Sequence, residues 1–263
     1  MASAVRYLGS IYIWEASVAY RLEVQKYLEL VRTTHAGRSL FQHINMKPRW
    51  MLISPFKPTQ KDPVNAYAFP DPATDADAYP KDYVASKVSL RLPLLGSVDI
   101  PTKIGTGQGS VVHVAYHPAT WRQRAINTGH IATGAGPGEV LFHEMVHGYR
   151  MQSGLLRTND AVAGEPHMDN VEEFHSILAS NVYRSERGFT TLRADHWGFN
   201  HLKSGVNASD SFYENYKPLI DKWFSEQAAF CMAMARSPAK FNPFREAAIA
   251  LGLMPRPAVS MRL

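Results

Sequence analysis

The stretch Gly136-Pro137-Gly138-Glu139-Val140-Leu141-Phe142-His143-Glu144-Met145-Val146-His147-Gly148-Tyr149-Arg150-Met151-Gln152-Ser153-Gly154 decides how this chain is read. On an α-helix His143 and His147 share one face and can aim ring nitrogens at one metal ion, with Glu144 projecting beside them as a base. The flanks read as helix boundaries. Pro137 suits the first turn, where its missing N–H is not needed, Glu139 complements the positive helix end, and Gly154 suits a left-handed residue past the last turn. The spacing predicts a helix of about four turns carrying a zinc site of the kind found in hydrolases.

Hydrolytic zinc takes three protein ligands and leaves the fourth position to water, so one ligand has to be found outside the motif. The candidate run is Asn170-Val171-Glu172-Glu173-Phe174-His175-Ser176-Ile177-Leu178, a second helix able to pack across the first and offer a carboxylate. Adjacent helical residues point about 100 degrees apart, so only one of the two glutamates can face the metal. Glu173 is preferred, because its face carries Ser176, Ile177 and Ser180 and allows close approach. Glu172 is the alternative, and His167, Asp169 and His175 are rival ligands.

With zinc on His143, His147 and Glu173, a bound water becomes acidic, and Glu144 takes its proton during attack on a carbonyl and passes it to the leaving amine. Candidate donors to the tetrahedral intermediate are Tyr183, Arg184, Arg193 and His196. Against each stands a plainer role: packing for Tyr183, a solvated face for the arginines, and a hydrogen bond beside Trp197 for His196.

The chain has 263 residues, 45% apolar, enough for a core in one domain. Its single cysteine, Cys231, cannot form an internal disulfide, which fits synthesis and residence in a cytosol. No segment reaches the roughly 18 apolar residues of a membrane span, and no signal-peptide pattern follows Met1. The net charge of +5 is spread over scattered basic residues, which argues against nucleic acid as a partner.

Along the chain, Ile11–Trp14, Arg49–Ile53, Val88–Leu92 and Ser110–Tyr116 read as strands. The last of these, just before the motif helix, is expected to form the sheet edge that holds an extended peptide. Helical spacing covers Ala16–Val31, with Gly37 interrupting before a further turn or two at Ser39–Ile44. The proline-rich segment 55–80 reads as a surface loop or lid. Residues 211–263 form a helical C-terminal part, with Pro238 and Pro243 breaking the pattern between two helices.

With the motif helix and Asn170-Val171-Glu172-Glu173-Phe174 in view, and with Asn181-Val182-Tyr183-Arg184-Ser185-Glu186-Arg187-Gly188 beyond, the chain resembles the gluzincin metallopeptidases. More narrowly, it resembles small bacterial effector zinc metallopeptidases that are injected into host cells. The resemblance implies one α+β zincin-like domain over 1–263, with a small mixed sheet, an active-site helix and a helical C-terminal part. It implies a zinc endopeptidase acting on a protein or peptide inside a target cell. Such a protein would be made in the cytosol and exported without a cleavable signal peptide, with a secretion apparatus or chaperone as a partner. The alternatives are an aminopeptidase of the same metal class and a zinc-containing protein-binding module without turnover.

Overall fold

The computed structural model describes residues 3–14, 17–56, 66–92, 96–127, 134, 136–164, 168–196 and 200–256. Its centre is a five-stranded mixed sheet in the order β1 (Ala4–Leu8), β2 (Ile11–Trp14), β3 (Met51–Ser54), β7 (Val112–Ala115), β4 (Tyr67–Pro70). Strands β2, β3 and β7 are mutually parallel, and β1 and β4 close the two edges antiparallel to their neighbours. Alternation sends Ile11, Ile13, Met51, Ile53, Val112 and Val114 to one face, where all are buried.

Against that face lies helix α4 (Pro137–Gln152), buried along its whole length from Gly138 onward. Its apolar residues pack into the core while its polar ones, Glu139, His143, Glu144, His147, Arg150 and Gln152, are buried as well, and helices surround it on the side away from the sheet. It comes close to the strands at Gly148, where a Cβ would meet the tip of Met51 and the Val112 side chain. Helices α1 (Val18–Arg32), α2 (His35–Asn45), α3 (Pro118–Asn127) and α5 (Val171–Glu186) pack on it. Helix α6 (Ser209–Ala235) and α7 (Pro243–Ala250) close the far side.

The mixed α+β class expected from sequence is what forms, but three local expectations change. Gly37 does not interrupt a helix. It sits in the first turn of α2, capped by Thr34, where a Cβ would fall 1.9 Å from the Val31 carbonyl. The strand before the motif helix is not the sheet edge, because β4 pairs on its outer side. Strand β4 belongs to the segment read as a proline-rich loop; Pro70 is tolerated there because an edge strand leaves one side of its backbone unpaired. Within the same segment Pro72–Ala78 forms a 3-10 helix, and residues 57–65 lie outside those described.

The strand expected at Val88–Leu92 is longer, β5 (Val84–Leu92), and pairs with β6 (Gly96–Ile104) as a separate two-stranded ribbon. Among the described residues, no helix is long and apolar enough to cross a membrane.

Candidate metal centre

Helix α4 starts with Pro137 in its first turn and Gly136 as an N-cap without a side-chain bond. Glu139 supplies what the cap lacks. One carboxylate oxygen accepts from the Gly134 amide (2.8 Å), and the other accepts from Arg184 (2.6 Å). Arg184 is therefore buried in an ion pair and does not lie on a solvated face; Arg193 is buried as well.

One helical turn brings the Nε2 atoms of His143 and His147 to 3.1 Å from each other. Asn170 caps α5 by accepting from the Glu173 amide, which sets Glu172 and Glu173 in that helix's first turn, against the motif. Glu173 faces the two histidines, with Oε2 3.2 Å from His143 Nε2 and Oε1 3.4 Å from His147 Nε2. Around a tetrahedral zinc with bonds near 2.05 Å, donor atoms stand about 3.3 Å apart. The two imidazole nitrogens stand at about that spacing, and each has a different oxygen of the Glu173 carboxylate at a similar distance.

Glu172 turns the other way. It takes Arg150 Nε at 2.8 Å and lies 3.3 Å from His147 Nδ1, with Ser176 Oγ 3.0 Å from the same nitrogen. These partners favour a proton on His147 Nδ1 and turn Nε2 toward His143 and Glu173, as carboxylate–histidine pairs around metals commonly do. Arg150 is fully buried, donates to the Leu155 carbonyl (2.8 Å), and lies over the Trp223 ring at 5.3 Å.

His196 reaches the same space from the segment after α5. Its Nε2 is 3.4 Å from Glu173 Oε2, and its ring is parallel to His143 at a centroid distance of 6.4 Å. The Asp169 carboxylate accepts from its Nδ1 at 2.7 Å, so Asp169 orients a histidine and is not itself among the converging donors. Arg193 donates to the carbonyls of Asp195 and His196, and Asn181 on α5 pairs with both backbone groups of Arg193. Each of His143, Glu173 and His196 can offer one atom within 4.8 Å of the others, so the described residues include a group able to hold a metal ion.

Burial governs the protonation of these side chains. It pulls the His143 imidazole down to about 4 and pushes the Glu144 carboxyl up to about 8. For His147 burial opposes the charge, but Glu173 and Glu172 outweigh it and hold the group well above the usual histidine range. The same contacts overcome burial for Glu173, which is held well below the carboxylate range; for Glu172, Arg150 is the largest opposing influence. One proton thus sits between two facing imidazoles and a carboxylate, where a metal cation would replace it.

Glu144 lines the open cleft above this cluster, and the backbone amide of Ala68 in edge strand β4 favours its charged form, against the larger effect of burial. Tyr183 is not brought to the cleft. Ten residues beyond Glu173, it lies about 15 Å along α5. There its ring stacks on Phe142 at 4.7 Å and its hydroxyl accepts from Arg187. His175 points to the opposite side of α5, against Trp223 (4.4 Å). His167 and Trp197 lie outside the described residues.

Sequence reasoning gave Arg150 no role, and it read Ser176 only as a small residue on the Glu173 face, whereas its hydroxyl bonds His147 Nδ1 beside Glu172. Arg150 had a readable signal: it follows His143 and His147 at helical spacing on one face, where a buried arginine demands a carboxylate, and Glu172 is that carboxylate. No family model matches the chain, and no curated protein matches its sequence.

Proposed function

We propose that this chain is a zinc-dependent endopeptidase of the gluzincin type, with a zincin-like fold. The observation that carries the reading is the spacing of His143 Nε2, His147 Nε2 and the Glu173 carboxylate, 3.1 to 3.4 Å apart, with Glu144 on the same helix opening to the cleft. When bound, zinc supplies a Lewis acid that acidifies water and polarises a carbonyl. Two imidazoles and a carboxylate favour it over hard cations that prefer all-oxygen sites.

The chain's own groups would do the rest. Glu144, whose carboxyl burial pushes up to about 8, would act once ionised, as the charge of a bound cation favours: it would take a proton from the attacking water and return it to the leaving nitrogen. His196, held by Asp169, presents Nε2 toward the position where negative charge develops on the substrate oxygen. Strand β4 borders the cleft as the edge of the sheet; the Asp71 amide is on the β7 side, so the backbone groups of Ala66, Ala68 and Pro70 face outward, and their carbonyls can accept from an extended polypeptide although Pro70 has no N–H to offer. Action on a protein inside a target cell, after export, is the part of the proposal that rests on the family resemblance alone.

The second reading is a zinc-holding binding module without turnover. The closeness of His196 to Glu173 favours it, since a fourth protein ligand would close the site. Metal content and cleavage of an unfolded protein decide between them. The endopeptidase reading expects about one zinc per wild-type chain and cleavage. Glu144→Ala is expected to keep zinc and lose about 100- to 10,000-fold in rate. His143→Ala is expected to lose the metal. Zinc-loaded wild type that cleaves nothing, with zinc lost in His196→Ala, would establish the closed site instead.

A further inference from the structure

Helices cover one face of the central sheet, and the other face carries a row of rings. Tyr12, Trp50, His113, Phe69, Tyr67 and Phe56 touch in turn from β2 across to β4, with centroids 5.2 to 6.4 Å apart. Strand register builds the row. Tyr12 lies opposite Leu52, Leu52 opposite His113 and His113 opposite Phe69, on the face that Ile13, Ile53 and Val114 do not use. Trp14 follows Tyr12 by two residues and shares its side of β2. Trp14, Trp50 and Tyr67 keep 37%, 39% and 46% of their surface exposed, so the row is open to solvent.

We infer that this face is an exosite, a second surface that holds the substrate polypeptide outside the cleft. The inference rests on the endopeptidase reading. Continuity with the cleft points to the substrate. Strand β4 serves both surfaces: Ala66, Ala68 and Pro70 border the cleft, and Tyr67 borders it too while its ring joins the aromatic row. A chain that leaves the cleft across β4 therefore meets Tyr67 first. Neighbouring strands stand about 4.8 Å apart, so crossing from β4 to β2 takes about 14 Å, or about four to five extended residues.

The rings also select the kind of ligand. Trp50 stands at 72° to Tyr12 and 79° to His113, Tyr67 stands at 89° to Phe56, and Phe69 lies over His113 at 16°. Interlocked in this way, they present a corrugated apolar surface and not a flat plate. A nucleobase or a sugar stacks on a free ring face, whereas a polypeptide fits side chains between rings and offers carbonyls to indole N–H and phenol groups. The surface is preformed, because Leu52 is buried beneath it and Asp71 holds His113 Nε2 at 3.0 Å, so binding has little to order. The substrate class is thus an unfolded or extended protein chain with an apolar stretch of about five residues flanking the part held in the cleft.

The probe is β-casein, an unfolded protein, compared with six-residue peptides that tile its sequence. Both are titrated into zinc-loaded Glu144→Gln protein, which separates binding from cleavage. Intact casein is expected to bind at least about tenfold tighter than any of the peptides, which are too short to fill the cleft and cross the face. Trp14→Ala and Trp50→Ala should each remove most of that advantage, and Trp50→Phe should keep part of it. Leu22→Ala, which removes an exposed apolar side chain of α1, should leave the advantage intact. Zinc content and melting temperature are checked for each variant.

No advantage for intact casein, or an advantage that survives both tryptophan-to-alanine variants, would overturn the inference. So would a wild-type dimer in sedimentation that Trp50→Ala dissolves, which assigns the face to a second copy of the chain, or binding of oligothymidylate that is lost in the same variant. The endopeptidase reading fails by a different result, in which zinc-loaded wild type binds casein through these tryptophans and leaves it intact.

Discussion

At the scale of single residues, the two adjacent glutamates carry different duties that their sequence positions alone do not distinguish. Both lie in the first turn of α5, and both are compatible with helix packing. What separates them is Arg150, a buried cation two turns along α4 that takes Glu172 and leaves Glu173 to the histidines. Glu172→Gln is expected to retain zinc but weaken its affinity by about 10- to 100-fold, because His147 loses its charged partner. Glu173→Ala should bind far more weakly still. Competition with a chromophoric chelator measures both, and equal losses would remove the distinction. His175 supplies a prediction of another kind. Burial, followed by the nearby Arg150 charge, holds its pKa well below the usual value, so the folded chain keeps it neutral. As pH falls through about 6.5, the unfolded chain takes up a proton that the folded chain does not, and stability drops by about 1.4 kcal/mol per pH unit. The stability is therefore full above that pH and lost below it. His175→Phe should remove this slope, which denaturant titrations between pH 7 and 5 would detect as a difference from wild type.

At the scale of elements, the motif helix was legible because its boundaries are marked by residues with one physical meaning each: Pro137 at the start, Gly154 at the end. Strand β4 was not. It is four residues long, ends in a proline, and sits among prolines, so its local texture is that of a loop. Only pairing with β7 makes it a strand, and that pairing is a long-range event. The alternating aromatics Tyr67 and Phe69, on the same side of the strand, were its one local sign. The turn after α4 shows how strictly an element end can be specified. At Gly154 the left-handed φ of 68° coincides with a close approach to another segment, since a Cβ would stand 2.5 Å from the Gly107 carbonyl carbon and oxygen. A left-handed alanine costs about 1 to 2 kcal/mol, and the clash is with backbone, which cannot rotate away. Gly154→Ala is expected to destabilise by about 2 kcal/mol or more in equilibrium denaturation. A neutral result would mean that the two segments separate without cost.

At the scale of the whole molecule, the C-terminal helices were readable as helices from their periodicity, but not as support for the candidate metal cluster. Helix α6 begins at Ser209 and runs through Pro218, with non-helical backbone at Tyr216 and Gln227 that bends it around the core. The bend brings Trp223 over Arg150 and beside His175. Gln227 then accepts from the Trp223 indole and donates to Ser153 at the end of α4. The chain of contacts runs from Trp223 through Arg150 and Glu172 to His147, one of the candidate ligands. Trp223 and the apolar side chains of α4 and α5 also belong to one continuous buried cluster, so the C-terminal part is built into the same core. Trp223→Ala is therefore expected to do two things. It should cost about 3 to 5 kcal/mol, as large aromatic truncations in cores do. It should also weaken zinc binding, because Arg150 loses the surface that holds it against Glu172. A buried leucine that is not a member of this chain of contacts, Leu40 in α2, provides the control: Leu40→Ala should lower stability by about 2 to 5 kcal/mol while leaving zinc affinity in the folded protein unchanged. If both variants lose stability and neither loses zinc affinity, the support from α6 is purely structural, and the orientation of His147 is set by α4 and α5 alone.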